Sequence, residues 1–259
     1  QSEDRISVSA AADSWIARVG RAGFDEAVEN EALCMRVAAA LGLPVPATTL
    51  LMRESQPVLL ARRLDRQELP DGVQRRHLED FCQLAGLHPE QAYEREGGLA
   101  ILDCANLIRR YSQAPALDMR ALLGWLVFCF LVGVGQAHAR TLCLVESARG
   151  PRLALNGGLL STHVYPHVSE RMAMYIGKED RPDWIRLARW REMAEELGVG
   201  TRYMLELLQQ MTVKLPALAE SVAGELQLTG PALKVVPRIL KLITNRARQS
   251  LIALEAERT

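Results

Sequence analysis

The chain has 259 residues, 49% of them hydrophobic and 24% charged, proportions that suit a soluble globular protein with one large domain or two lobes around a cleft. Lys plus Arg and Asp plus Glu both number 31, so the net charge is zero. That balance argues against a nucleic-acid surface as the main partner, because phosphate binding needs net or clustered positive charge, although it leaves room for a local basic patch.

In chain order, Ile6–Val8 and Trp15–Val19 have short β-like character. Residues 24–46 (FDEAVENEALCMRVAAALGLPVP) read as a helix with a stop: Asp25 and Glu26 favour its N-terminus, and Val28, Ala32, Met35 and Ala39 fall on one face. Gly42 is placed for a C-cap, and Pro44 and Pro46 prevent continuation. TTLLMRE (48–54) and PVLLARRL (57–64) form a candidate hairpin across Ser55, Gln56 and Pro57. A polar stretch follows over 65–76, with a turn at Pro70, Asp71 and Gly72, where a lobe boundary is placed. From His77 the pattern is mostly helical: 77–87 ending near Gly86, and 97–112 with Ile101, Ala105 and Ile108 at helical spacing. Residues 119–134 (MRALLGWLVFCFLVGV) read as a helix buried all round, with Trp125, Phe128 and Phe130 in the core. TLCLV and RLALN, joined by ESARGP, give a second hairpin signal. After Tyr165 the pattern is helical to the end, around 182–197, 201–226 and 233–256.

The five cysteines (Cys34, Cys82, Cys104, Cys129, Cys143) include no C-x-x-C pair, which predicts free, mostly buried thiols in a reducing cytoplasm and no zinc site or other bound metal. The first residues show no basic region followed by an apolar core, hence no signal peptide, and the chain starts at Gln1 rather than Met, leaving room for an upstream segment. The longest apolar run, Leu122 to Val134, is short of the roughly 20 residues a membrane span needs, so no membrane association is expected.

Five stretches in order carry a family resemblance: ENEALCMRVAAALGLPVP (29–46), ARRLDR (61–66), HLEDFCQLAGLHPEQAYEREGG (77–98), FLVGVGQAHARTLCLV (130–145) and LLSTHVYP (159–166). Together they resemble the C-terminal domain of the HipA family of kinase-fold toxins. The resemblance implies an α+β, two-lobed protein-kinase-like fold: a small β-rich lobe with one helix (1–70), then a large helical lobe (71–259) with a catalytic-loop-like segment at 130–166. It also implies a Ser/Thr kinase that uses ATP and magnesium, acts on aminoacyl-tRNA synthetases and is held by a DNA-binding antitoxin, HipB.

Position by position, the resemblance places the kinase machinery on altered residues. The catalytic loop, roughly G-N-x-D-x-H-x-K-N in the family, reads here Gly133 to Thr141 as GVGQAHART. Gln136 stands where the proton-accepting Asp should be, and an amide has no useful basicity near neutral pH. Thr141 replaces a metal-holding Asn, His138 is kept, and Arg140 replaces Lys with different donor geometry. The metal-binding Asp falls at Gly158, with neutral Asn156 two residues away, yet magnesium favours anionic oxygen ligands. The phosphate-gripping Lys falls at Arg18, with Glu31, or else Glu29, as its helix partner. The phosphate loop falls at 6–14 (ISVSAAADS), which has no Gly. Each part normally contributes several kcal/mol of transition-state stabilisation. Four departures in four parts predict a pseudokinase without intact catalytic residues, without metal and without a required cofactor. It would act by binding a HipB-like antitoxin, an active relative, or a separate chain that supplies the N-terminal subdomain. An alternative is an active divergent kinase drawing on Asp13, Asp65 or Asp80.

Several of these residues also have a purely structural reading. His138 suits a role in holding the turn of its loop, and Gln136 that of a neutral spacer or else a new polar contact to a ligand. Arg62, Arg63, Asp65 and Arg66 look like an active-site motif by the resemblance and suit an internal salt-bridge cluster equally well, and Asp80 and Gln83 suit a helix cap. Lys234, Arg238, Lys241, Arg246 and Arg248 suit a solvated helix face, or else a docking face for an acidic partner or nucleic acid.

Overall fold

The computed structural model describes residues 14–257 apart from Asp71, Pro89, Thr229, Pro231 and Ala232. The β-like Ile6–Val8, Asp13 and all of the expected phosphate loop except Ser14 lie outside the described residues.

The chain opens with β1 (Trp15–Arg18), α1 (Ala27–Ala40), β2 (Thr48–Arg53) and β3 (Gln56–Arg62), the strands forming an antiparallel sheet in the order β1-β3-β2. The hairpin turn is Glu54 and Ser55, both at positive φ; Gln56 and Pro57, expected in the turn, already belong to β3. Val28 and Ala32 of α1 pack against Leu59 and Leu50 of the sheet. Leu59 lies opposite Arg18 on one side and Leu50 on the other, so Arg18 shares the sheet face that meets α1. Ala39, expected on the buried face of the helix, is exposed in its last turn. Gly42 follows at φ 79° and donates its N–H to Ala39 O, stopping the helix as its position foretold. Glu26 stands at the N-terminus of α1 as expected, but its carboxylate does not cap it. Glu26 is the N-cap residue of α1 in the left-handed region, and its carboxylate turns away to accept the N–H groups of Lys234 and Val235 at the head of the last helix.

The polar stretch 65–76 is a hairpin of its own, β4 (Arg66–Leu69) with β5 (Gly72–Arg75); its exposed residues carry no alternation that sequence reading could use. Residues read as the head of a helix at His77 instead form β6 (Leu78–Asp80), which pairs with β7 (Leu142–Val145), itself paired with β8 (Arg152–Leu155). Only then does the short α2 (Phe81–Leu84) begin. Asp80 and Gln83 cap it reciprocally: Gln83 N–H donates to Asp80 Oδ1 and Asp80 N–H to Gln83 Oε1, each at 2.9 Å.

The larger part is helical: α3 (Ile101–Tyr111), α4 (Pro115–Val132), α5 (Leu187–Glu196), α6 (Thr201–Glu225) and α7 (Val235–Ala256). Every residue of α4 from Leu122 to Val132 is buried, with Trp125 and Phe128 among the largest fully enclosed side chains. By length and composition α4 is the one helix among the described residues apolar enough to cross a membrane, and 67% of it is buried inside the fold. The expectation of helix throughout after Tyr165 is corrected: 165–181 contains none, and 182–197 divides into a 3-10 turn and α5. All five cysteines are free and buried, and burial pushes the Cys34 and Cys143 thiols up to about 12.

Candidate functional site

The expected site residues come together at one end of the β7–β8 hairpin. Leu142 pairs with Leu155, and just beyond them Asn156 N–H donates to Thr141 O at 2.8 Å. The loop at 133–141 therefore lies beside the segment 156–158, and α1 reaches that segment from the other side.

Arg18 and Glu31 form an ion pair, as expected for the strand cation and its helix partner. The Gly158 N–H also donates to the Glu31 carboxylate. Burial pushes the Glu31 carboxyl up, against the pull of Arg18 and of this N–H. The guanidinium lies directly over the bare backbone of two glycines. A β-carbon built on Gly157 would sit 2.9 Å from Arg18 Nη2, and one on Gly158 would sit 3.6 Å from Nη1. Both glycines are at positive φ, 72° and 74°.

The second cluster is Gln136, His138, Thr141 and Tyr93. Gln136 is exposed, and its Oε1 accepts the Tyr93 hydroxyl at 2.5 Å. It thus makes a polar contact within the protein. The Tyr93 ring meets His138 edge-on, with centroids 5.5 Å apart, and carries the Arg95 guanidinium 4.7 Å from its centre. The Thr141 hydroxyl donates to His138 O at 2.7 Å. His138 therefore holds the turn through its backbone; its Nδ1 is buried without a partner. Burial, helped by the Arg140 charge, holds His138 below the usual imidazole range. Arg140 itself is exposed.

The loop keeps its shape because of what packs behind it. Gly133 ends α4 at φ 81°, where its N–H returns to Cys129 O, and its carbonyl accepts from Thr162 and His163. Gly135 N–H donates to Thr162 Oγ1. A β-carbon at Gly133 would lie 2.6 Å from Leu242 Cδ2, and one at Gly135 2.6 Å from His163 Nε2. Behind His163 stands Arg246 of α7, which donates to Phe130 O and to His163 Nδ1 at 2.9 Å. Arg246 was expected on a solvated basic face and is instead 9% exposed. Lys234, Arg238, Lys241 and Arg248 are exposed as expected.

Of the other acids considered for chemistry, the two among the described residues, Asp65 and Asp80, are engaged. Arg63 grips Asp65 with two bonds of 3.0 Å, and Arg66 holds the same carboxylate. Arg62 pairs with Glu68. Asp80 caps α2. Among the described residues no group of three His, Cys, Asp or Glu side chains converges.

Sequence reasoning passed over Asn30, Ser161, Thr162 and His163, and it quoted Tyr93 without assigning it a role. Asn30 is fully buried, and its amide accepts Ser161 N–H at 2.9 Å and donates to Ser161 O at 3.0 Å. Its signal was available: an amide on the apolar stripe it shares with Leu33 and Val37 is a buried polar group in need of partners.

Comparison with known proteins bears on both fold and site. A family model described as HipA-like C-terminal domain matches residues 3–219. Y4mE of Sinorhizobium fredii is 38% identical over 224 residues, 86% of this chain and 52% of that protein. The serine/threonine-protein kinase toxin HipA of Shewanella oneidensis is 26% identical over 212 residues, 77% of this chain and 49% of that protein. A solved Shewanella oneidensis MR-1 complex of HipA, HipB and operator DNA contains a chain that matches 94% of this one and is itself covered to 60%, with a TM-score of 0.84 at 22% identity. The chain spans about half the length of the curated relatives it matches. The α+β, two-lobed HipA C-terminal fold expected from the sequence is the fold observed.

Proposed function

The chain belongs to the HipA-like C-terminal domain family, and from that premise we propose that it has lost phosphoryl transfer and acts by binding another protein in a toxin–antitoxin-like system. The observation that carries this reading is Gly158. Where the resemblance calls for a metal-binding Asp, there is no side chain, and the Arg18 guanidinium lies over the bare backbone. The loop agrees with it. Gln136 stands at the base position and accepts from Tyr93, and the Thr141 hydroxyl is spent on His138 O. This donor set does not fit a magnesium–nucleotide: it lacks the anionic oxygens that a hard cation needs and brings a fixed cation close to where the metal would lie. ATP and magnesium therefore have no part in the reading.

The division into lobes at 70/71, with 130–166 as the vestigial catalytic segment, belongs to the same reading. So does a cytoplasmic location, which five buried free thiols suit. Because one similar protein is solved in complex with HipB, the partner we favour is a HipB-like antitoxin.

Thermal unfolding with and without millimolar ATP, each with and without magnesium, tests the loss of transfer. The expected result is no magnesium-dependent shift. A ligand at about 100 times its Kd stabilises by roughly 2.7 kcal/mol, so a magnesium-dependent rise of a few degrees would overturn the reading.

A further inference from the structure

Away from the site, a groove of about 360 Å³ opens between the C-terminal end of α1, the first half of α4 and the middle of α6. That volume lies at the lower end of the roughly 300–1,000 Å³ typical of small-molecule sites. Its walls include Leu43, Ala121 and Met211, and part of its depth comes from Gly124. A glycine inside a helix costs about 1 kcal/mol relative to alanine. This one is retained where a β-carbon would lie 3.2 Å from Leu43 Cδ2, so the segment that follows α1 comes close to α4 and the groove reaches down to α4 backbone.

The rim is cationic. One carboxylate lines the groove, Asp118, and it is already spent: Arg152 grips it with three contacts of 2.8–3.1 Å, and Ser112 Oγ and Leu153 N–H complete its bonding. Arg120 of α4 and Lys214 of α6 both line the groove and are exposed, and among the described residues neither has a carboxylate partner. An apolar trough with two unanswered positive charges is complementary to one kind of small molecule.

We propose that this groove binds a small amphiphile with an anionic head and a short apolar tail. The tail lies over Leu43, Gly124 and Met211, and the head sits between Arg120 and Lys214. The proposal stands on these residues alone and is independent of whether phosphoryl transfer is lost.

The test is titration calorimetry of the whole chain with octanoate, and with acetate and octan-1-ol as the head and the tail alone. Saturable one-to-one binding of octanoate is expected, with neither acetate nor octanol binding comparably. The surface variant Arg120→Glu/Lys214→Glu should weaken octanoate by about tenfold or more. Ala121→Leu, which fills the trough, should weaken it as well while leaving a cooperative unfolding transition. Octanoate that does not bind, that binds both variants as tightly as the parent, or that is matched by octanol or acetate would overturn the proposal.

Discussion

The side-chain amide of Asn30 pairs with the backbone of Ser161 through both of its polar atoms, as one strand pairs with another. The pair joins α1, one residue before Glu31, to the segment three residues beyond Gly158. Tyr165 reinforces it by accepting from Asn30 Nδ2 and donating to Asp25 O. Both partners are fully buried, so truncation exposes neither to water.

Asn30→Ala leaves a backbone N–H and a C=O buried without partners, at about 1–3 kcal/mol each. The expected loss is about 3 kcal/mol in urea unfolding. Asn30→Asp should cost at least as much, because a buried carboxylate would face Ser161 O. A change below about 0.5 kcal/mol in Asn30→Ala would show that water reaches Ser161.

His163 should make the protein sensitive to acid. Burial, with the Arg246 charge beside Nδ1, pushes its pKa down to about 3. Arg246 is itself drawn down to about 10 by burial, against the pull of Asp183 and Glu170. An unfolded histidine titrates near 6.5, so between these values the unfolded chain takes up a proton that the native one refuses. The stabilisation is complete above about pH 6.5 and is lost as pH falls toward 3, by up to about 1.4 kcal/mol per pH unit. His163→Gln keeps an acceptor for Arg246 and does not titrate. Its stability measured from pH 7 to pH 4 should fall less steeply than that of the parent; parallel curves would place the proton elsewhere.

Arg18 and Gly157 should be energetically coupled. Gly157→Ala must adopt φ near 72°, at about 1–2 kcal/mol, and its β-carbon must also displace the guanidinium. Removing that guanidinium relieves the second cost but not the first. In a cycle of Arg18→Ala, Gly157→Ala and the double variant, Gly157→Ala should cost at least about 0.5 kcal/mol less in the Arg18→Ala background. Additive effects would mean that Arg18 moves aside freely.

How much of this was legible in the sequence depended on periodicity and punctuation. The stripe Val28–Ala32–Met35, the stop at Gly42–Pro44 and the unbroken apolar run of α4 each announced their element. β6 did not: Leu78–Asp80 is three half-exposed residues whose strand state comes from pairing with β7, more than sixty positions away. The β4–β5 hairpin pairs locally, but its largely exposed residues carry no alternation that would mark them as strands. Of the candidate site, the family pattern located Arg18, Glu31, Gln136, His138, Thr141 and Gly158. What it could not give was the cross-chain partners. Arg246 looked like one more cation on an amphipathic tail, because nothing local reveals that Phe130 O and His163 lie opposite it.

On the proposed reading, restoring one residue should not restore chemistry. Gln136→Asp returns a carboxylate to the base position, where Tyr93 would donate to it, yet Gly158 and Thr141 still offer no metal ligand and Arg18 still lies over Gly157 and Gly158. Incubation of Gln136→Asp with radiolabelled ATP, magnesium and a general protein substrate should give no labelling above the parent protein. Gly158→Asp alone should place its carboxylate within reach of Arg18 and form an ion pair rather than a metal site, since its β-carbon begins 3.6 Å from Nη1. Each lost part is worth several kcal/mol of barrier, and a 1.4 kcal/mol change alters a rate about tenfold, so single reversions leave most of the deficit in place. The informative variant combines Arg18→Lys, Gln136→Asp, Thr141→Asn and Gly158→Asp. Labelling that appears only in this fourfold variant would show that the fold still positions a kinase site and that side-chain chemistry alone was lost. Labelling by the parent protein, or by Gln136→Asp alone, would mean that a metal is held by groups other than Thr141 and Gly158, and the binding-only reading would fall.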